Sequence, residues 1–262
     1  AGGPLTKFEF ERRVADANDV SFKITYAGIC HSDIHQVREE WGPALFPMVP
    51  GHEIVGIVTE VGSNVTKFKV GDRIGVGVFI DSCGKCDPCK NGSENYCDEG
   101  MTGTYNGYER DGKTVAYGGY SNGFVINEKY AVKVPNNLDL AGVAPLLCAG
   151  ITLYSPIRHF GVKAGMKVAV MGLGGLGHMG VKFAAALGAE VTVLTHSANK
   201  RDDALKMGAS DFIVVKNPED LKPLRRKFDL ILNTVSAMVD INAYLATLKI
   251  DGTLVVIGLP EG

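Results

Sequence analysis

Six cysteines carry the densest chemistry in this 262-residue chain. Four of them, Cys83, Cys86, Cys89 and Cys97, follow one another as C-x2-C-x2-C-x7-C. Four soft thiolates so close together can wrap one tetrahedral ion unaided, and a closed structural zinc site is the expectation. Cys30 and Cys148 each stand alone, Cys30 upstream of a Gly51-His52-Glu53 triplet. Two thiolates joined by one imidazole leave a fourth coordination position open for chemistry. Taken singly, though, a lone buried Cys is usually a small hydrophobe. A disulfide framework is the other plain reading of the six; the C-x-x-C spacings favour metal. For the four-Cys cluster a redox role is the alternative.

A second signature is Gly172-Leu173-Gly174-Gly175-Leu176-Gly177, which follows an apolar run and opens a helical stretch. In this context the pattern reads as a dinucleotide fingerprint. Gly172 permits the tight turn, Gly174 lets the backbone approach a pyrophosphate, and Gly177 lets helix and strand pack closely. The helix N-terminus offers free N–H groups to the phosphates. The end of the next strand chooses the cofactor, since NAD-binding domains place Asp or Glu there. This chain has Thr195-His196-Ser197-Ala198-Asn199-Lys200-Arg201, with hydroxyls and two cations but no carboxylate. That set suits a 2′-phosphate, hence NADP(H). One charge-assisted bond of about 1.5–3 kcal/mol is worth a roughly ten- to hundredfold preference. The plainer reading is that Lys200 and Arg201 merely start a solvated helix.

These groups need a scaffold. The first half reads as β-rich, with β-branched runs at Val20–Ala27, Glu53–Val61 and Asp72–Val78 punctuated by Gly28, Gly62 and Gly71. Prolines at 43, 47 and 50 demand an irregular segment before His52. Residues 81–113 read as a metal-stapled loop followed by an excursion. From Lys167 the runs Lys167–Met171, Val191–Thr195, Phe212–Val215, Leu230–Asn233 and Thr253–Ile257 alternate with helical stretches at Gly177–Leu187 and Lys200–Met207. This alternation predicts a doubly wound α/β domain with five strands of a parallel sheet. Such folds usually have six strands, so the sequence is expected to be truncated at its C-terminus.

Together these pieces give a resemblance. Gly28-Ile-Cys-His-Ser-Asp33, Pro50-Gly-His-Glu53, the four-Cys lobe, Leu147-Cys-Ala-Gly-Ile-Thr152 and Gly172–Gly177 resemble the zinc-dependent medium-chain alcohol dehydrogenases, in their cinnamyl alcohol dehydrogenase and bacterial aldehyde reductase branch. The resemblance implies a β-rich GroES-like catalytic domain over 1–146, with a structural zinc lobe at 81–99. A Rossmann NADP(H)-binding domain over 147–262, incomplete at its end, would follow. It implies two zinc ions per chain. Cys30, His52 and Cys148 would hold the catalytic ion, with Glu53 replacing its water in a resting form; Cys83, Cys86, Cys89 and Cys97 would hold the structural one. Asp33 would orient the His52 imidazole, and Ser32 and His35 would form a proton relay, with the nicotinamide ribose between them. Thr152, Thr234 and Gly258 would touch the cofactor; Gln36 and Trp41 would line the substrate pocket. Where plant lignin enzymes carry a pocket tryptophan this chain has Gly103, which weakens the case for bulky phenylpropenyl aldehydes.

The implied reaction is the reversible reduction of aldehydes to primary alcohols. An NAD-linked polyol or secondary-alcohol dehydrogenase is one alternative. A non-catalytic zinc- and NADPH-binding sensor is another. His159 and His178 are expected to be structural, and His196 at most a cofactor-edge contact. Net charge is −2, so no global field favours nucleic acid or an anionic membrane. The basic run at 222–227 reads as a solvated face, and no stretch is long and apolar enough to span a bilayer. Thiolate ligands need a reducing compartment, which points to the cytoplasm; by family likeness the enzyme is expected to be a homodimer.

Overall fold

Val20, Phe22 and Ile24 alternate with polar neighbours, and that period of two sets the inward face of the first strand. The computed structural model describes residues 3–259. Its chain divides into two compact units, Ala1–Cys148 and Ala149–Gly262. The first unit contains β1 (Asp19–Ala27), α1 (His31–Val37), β2 (Ile54–Val61) and β3 (Arg73–Val76). The short β4 (Phe79–Asp81), α2 (Asp87–Lys90), β5 (Thr102–Gly103), β6 (Gly107–Tyr108) and β7 (Val115–Ala116) follow. β8 (Gly123–Asn127), β9 (Val132–Lys133) and α3 (Leu140–Val143) complete it. Five of these strands form an antiparallel sheet in the order β8-β1-β2-β3-β9. Its inward residues, among them Val20, Phe22, Ile54, Val58, Ile74 and Phe124, make one apolar core. Val55, Val134, Leu140, Val143 and Ala144 make a smaller one on the other side of β2.

The second unit opens with α4 (Ala149–His159), β10 (Lys167–Met171), α5 (Gly175–Ala186) and β11 (Glu190–Thr195). It continues through α6 (Arg201–Lys206), β12 (Asp211–Val214), β13 (Phe228–Asn233), α7 (Ile241–Leu245) and β14 (Leu248–Val256). The five strands are parallel in the order β12-β11-β10-β13-β14. The order reverses between β10 and β13, the crevice where such sheets bind ligands. Val168–Met171 and Leu230–Leu232 are buried on both faces, which is why they read as unbroken apolar runs. Ala169, Met171 and Ile231 pack with Leu221 and Leu224 on one face. On the other, Gly180 of α5 lies close against Leu153 of α4, Val170 and Leu232.

Most element boundaries lie within one or two residues of expectation; two in the second unit are instructive. β14 begins at Leu248 instead of Thr253, because pairing with β13 survives a register shift between Phe228 and Leu230. Asp251-Gly252 reads as a turn but is a bulge, with Asp251 at φ 62°. α5 starts at Gly175, two residues early, within the glycine-rich turn itself. In the basic run Lys222, Arg225 and Arg226 are exposed, as expected of a solvated face. Among the described residues no single helix is long and apolar enough to cross a membrane.

Candidate active site and metal centres

The pairing of β1 with β2 ends at Ala27 opposite Ile54, and Gly28 N–H still donates to Glu53 O at 2.8 Å. This register sets the residues just past each strand end side by side. Cys30 stands at the head of α1, with His52 and Glu53 across from it. A Cβ on Gly28 would lie 2.0 Å from Glu53 Oε2, so the carboxylate can occupy this place only beside a glycine. Cys148 follows the 3-10 turn Ala144–Leu147. Leu147 seats that turn on and beside β3, where a Cβ on Gly75 or Gly77 would stand 2.9 or 2.8 Å from it.

The ligand atoms of Cys30, His52, Glu53 and Cys148 lie within 4.8 Å of one another. The sulfurs of Cys30 and Cys148 are 3.8 Å apart. Two thiolates at the usual Zn–S distance of about 2.3 Å and a tetrahedral angle stand about 3.8 Å apart. The donor set and its spacing therefore fit zinc.

Protons crowd these donors. The hydrogen bond from Cys148, acting against burial, pulls the Cys30 thiol down to about 3, while the same contact and burial push Cys148 up. Burial works against a charged His52, yet Asp33 and Cys30 hold its pKa up at about 9. A divalent cation would displace these protons on binding. Asp33 is buried, and burial favours its neutral form; hydrogen bonds led by His52 nevertheless keep its carboxyl below the usual range. Its Oδ1 accepts from His52 Nδ1 at 3.1 Å and from Gly51 N–H at 3.0 Å. Its Oδ2 accepts from Cys30 N–H at 3.1 Å and from Tyr120 O–H at 2.9 Å. Holding Nδ1 this way leaves Nε2 of His52 for a metal.

Ser32 is half-buried on α1, its hydroxyl 3.5 Å from Cys30 Sγ. His35, one turn along, is only 5% exposed. Its ring is stacked between His31 and Trp41, with centroids 4.6 Å away on each side. Its Nδ1 is bonded to the Glu40 carboxylate. Glu40 was not singled out from the sequence, where it sits in a plain Glu39-Glu40 pair. The available signal was an acid five residues after the relay histidine. Gln36 is tied to Asn106 by a side-chain hydrogen bond. The Trp41 indole Nε1 is buried and has no partner among the described residues. Tyr105, also missed, stacks on His52 at 5.9 Å. Burial and the negative Asp33 push the hydroxyls of Tyr105 and Tyr120 well above the usual phenol range, so both remain donors.

The other four cysteines converge independently. Their sulfurs lie within 4.8 Å of one another, with Cys83 and Cys89 at 3.9 Å. Backbone N–H groups of Lys85 and Cys86 pull the Cys83 thiol down to about 6. The Cys89 sulfur meets Ser82 Oγ at 3.2 Å, and Ser82 shares a 2.8 Å hydrogen bond with Tyr130. Cys89 and Cys97 are buried and Cys83 and Cys86 half-buried; four thiolates on one tetrahedral ion would leave it no open coordination position.

In the second unit a cleft of about 450 Å³ opens at the carboxyl ends of β10 and β11. Gly172, Leu173, Gly174, Thr195, His196, Ser197, Lys200 and Thr234 line it. Gly172 has φ +82°, and a Cβ on Gly177 would stand 2.1 Å from Gly172 O, so turn and helix touch backbone to backbone. A Cβ on Gly174 would meet nothing; the turn is bare on the side a pyrophosphate would approach. Lys200 Nζ donates to Leu173 O at 2.9 Å, which carries the cation from the end of β11 to that turn. Thr234 Oγ1 donates to Met171 O at 2.7 Å. Gly258 packs against Val235, where a Cβ would come within 2.3 Å of its carbonyl. Gly175, Leu176, Gly177, Gly258, Thr152 and Arg201 do not line the cleft. Arg201 turns to Phe212 O, 3.1 Å away, and Thr152 sits half-exposed on α4. His178 Nδ1 bonds the carbonyl of Gly174 at 3.2 Å.

Comparison with known proteins follows the same division. The profile of the alcohol dehydrogenase GroES-like domain matches residues 16–136, and that of the zinc-binding dehydrogenase family matches 175–262. The NADP-dependent alcohol dehydrogenase C 1 of Mycolicibacterium smegmatis is 58% identical over 98% of this chain and 74% of its own length. A cinnamyl alcohol dehydrogenase from Sorghum bicolor superposes with a TM-score of 0.93, at 46% identity over 97% of this chain and 73% of its own. The Helicobacter pylori cinnamyl alcohol dehydrogenase complexed with NADP(H) gives 0.90, at 45% identity over 96% of this chain and 71% of its own. The chain thus spans about three quarters of these relatives. With a GroES-like β unit, a Rossmann-type unit and such identities, it belongs to the zinc-type medium-chain alcohol dehydrogenases.

Proposed function

We propose that this chain interconverts aldehydes and primary alcohols with NADP(H), using zinc at Cys30, His52 and Cys148. The observation that carries the reading is the convergence of those donors, with Glu53, within 4.8 Å. A second zinc at Cys83, Cys86, Cys89 and Cys97 would fix the lobe. Both the NADP-dependent relatives and the absence of a carboxylate in Thr195–Arg201 support this cofactor. The NAD-linked polyol alternative and the non-catalytic sensor are not favoured, although one relative at 48% identity is named a probable mannitol dehydrogenase.

When bound, the catalytic zinc supplies Lewis acidity toward the carbonyl oxygen, and NADPH supplies the hydride. The protein's own residues hold and move the proton. Asp33 fixes the His52 imidazole. Ser32 gives its hydroxyl proton to the nascent alcohol oxygen and is resupplied from His35. His35 is shut away under Trp41, so its exchange runs through Glu40, whose side chain is 24% exposed. Glu53 shares the donor cluster and would occupy the open position in a resting form. Lys200, Ser197 and Thr195 would receive the 2′-phosphate, Gly172–Gly177 the pyrophosphate, and Thr152, Thr234 and Gly258 the nicotinamide half. Gln36 and Trp41 would border the substrate. In this reading the enzyme is a homodimer of the cytoplasm, where thiols stay reduced; sedimentation of the purified protein tests the dimer.

The deciding experiment is metal content together with NADPH oxidation over aliphatic, aromatic and allylic aldehydes. Two zinc ions per chain and broad aldehyde turnover are expected. One zinc, held by the four sulfurs alone, or nucleotide binding without turnover, would sink the reading. Lys200→Ala should raise KM for NADPH roughly ten- to hundredfold and leave KM for NADH nearly unchanged. Equal effects would remove Lys200 from cofactor choice.

A further inference from the structure

We infer that Tyr120 is a positioning residue for the catalytic metal centre, acting through Asp33 on His52. The inference rests on the zinc reading above and adds a residue to it. Asp33 takes three of its hydrogen bonds from the metal-binding segments themselves, namely Cys30 N–H, Gly51 N–H and His52 Nδ1. These donors belong to the segments that carry the candidate ligands. Tyr120 O–H, 2.9 Å from Asp33 Oδ2, comes from a different loop. The same hydroxyl lies 3.2 Å from Gly28 O, but the carboxylate is the stronger acceptor. Tyr120 is 40% exposed, so solvent could have satisfied its hydroxyl; it is turned inward to a buried carboxylate instead.

The loop that carries Tyr120 is itself fastened on two sides. Toward the site, N–H groups of Gly118, Gly119 and Tyr120 donate to the carbonyls of Val49, Gly51 and Pro50 at 2.7, 2.8 and 3.0 Å. A Cβ on Gly118 would stand 2.5 Å from Gly51 O, so the two backbones meet with nothing between them. Behind the loop, the Arg12 guanidinium donates to Gly118 O at 2.9 Å, Gly123 O at 3.1 Å, Ser121 Oγ at 2.8 Å and also Tyr117 O. Arg12 also stacks on Phe124 at 4.4 Å. The hydroxyl of Tyr120 is therefore a fixed point against which Asp33, and through it the imidazole, is set. Tyr105 reaches the same carboxylate, but its ring also stacks on His52, so Tyr120 gives the cleaner test.

Tyr120→Phe keeps the ring and all the backbone bonds and removes the one hydroxyl. The zinc-loaded enzyme is mixed with excess dipicolinate and zinc release is followed with a chromophoric indicator. Release from the Cys30–His52–Cys148 site is expected to quicken roughly tenfold, the scale on which a lost outer hydrogen bond weakens a metal site. The four-cysteine zinc serves as an internal control and should leave at its original rate. Placed on Asp33→Ala, which leaves the Tyr120 hydroxyl no side-chain acceptor there, Tyr120→Phe should add nothing further. Unchanged release in the single variant, equal acceleration at both sites, or full multiplication with Asp33→Ala would each overturn the proposal. A protein that binds zinc only at the four cysteines would instead overturn the metal reading itself, and Tyr120's role with it.

Discussion

His52 and the Cys148 thiol hold protons that a metal must displace. The folded-state pKa of His52 is about 9, above its ordinary 6.5. In metal-free protein the His52–Asp33 pair therefore stabilises fully below pH 6.5, and that contribution is lost as pH rises through 9. Zinc needs the neutral imidazole, so its affinity moves the other way. The rise in Tm on adding zinc to metal-free enzyme should grow between pH 6.5 and 9; a pH-independent rise would contradict the geometry. Farther along α1, Ser32→Ala should cut turnover roughly hundredfold with zinc content unchanged, as seen in kcat beside metal analysis. The candidate donors Cys30, His52 and Cys148 showed themselves in the sequence only through the family resemblance, and the structure brings their side chains together. Tyr105 and Tyr120 did not show themselves, since their partners His52 and Asp33 lie far away in sequence, and Glu40 did not because an acid five residues after a histidine is common on any surface.

Among the elements, regular strands were easier to read than irregular connections. β10 and β13 are buried on both faces and show it as unbroken apolar runs. β14 begins five residues before the apolar run at Thr253, since pairing with β13 carries the strand through Asp251-Gly252, a dipeptide with turn chemistry. Outside the Gly172–Gly177 turn, glycines are hard to read when, as at Gly28, they answer to a neighbour that local sequence does not name. Gly28 directly follows β1, yet its constraint comes from Glu53, the residue before β2. Gly28→Ala should destabilise by about 1–3 kcal/mol, the usual cost of forcing atoms into filled space. Denaturant unfolding measures it, and an unchanged midpoint would mean that Glu53 moves aside freely.

At the scale of the whole molecule, each unit has its own apolar core, and the nucleotide cleft is lined by residues of the second unit. NADPH at a hundred times its Kd should raise protection from hydrogen exchange in β10, α5 and β11 by about 2.7 kcal/mol. Protection that rises only in the first unit would misplace the cofactor. The division into a β-rich half and an alternating half was visible in the sequence, because hydrophobic period changes from one to the other.

Cys83 lies only 14 residues before Cys97, whereas Cys30 and Cys148 are 118 residues apart. At synthesis rates of about 5–20 residues per second, the near pair emerges within roughly 1–3 s. Cys30 waits about 6–24 s for its partner sulfur. On the proposed zinc assignment, the lobe can take its ion first during translation, while Cys30 stays exposed on a nascent chain until Cys148 leaves the ribosome.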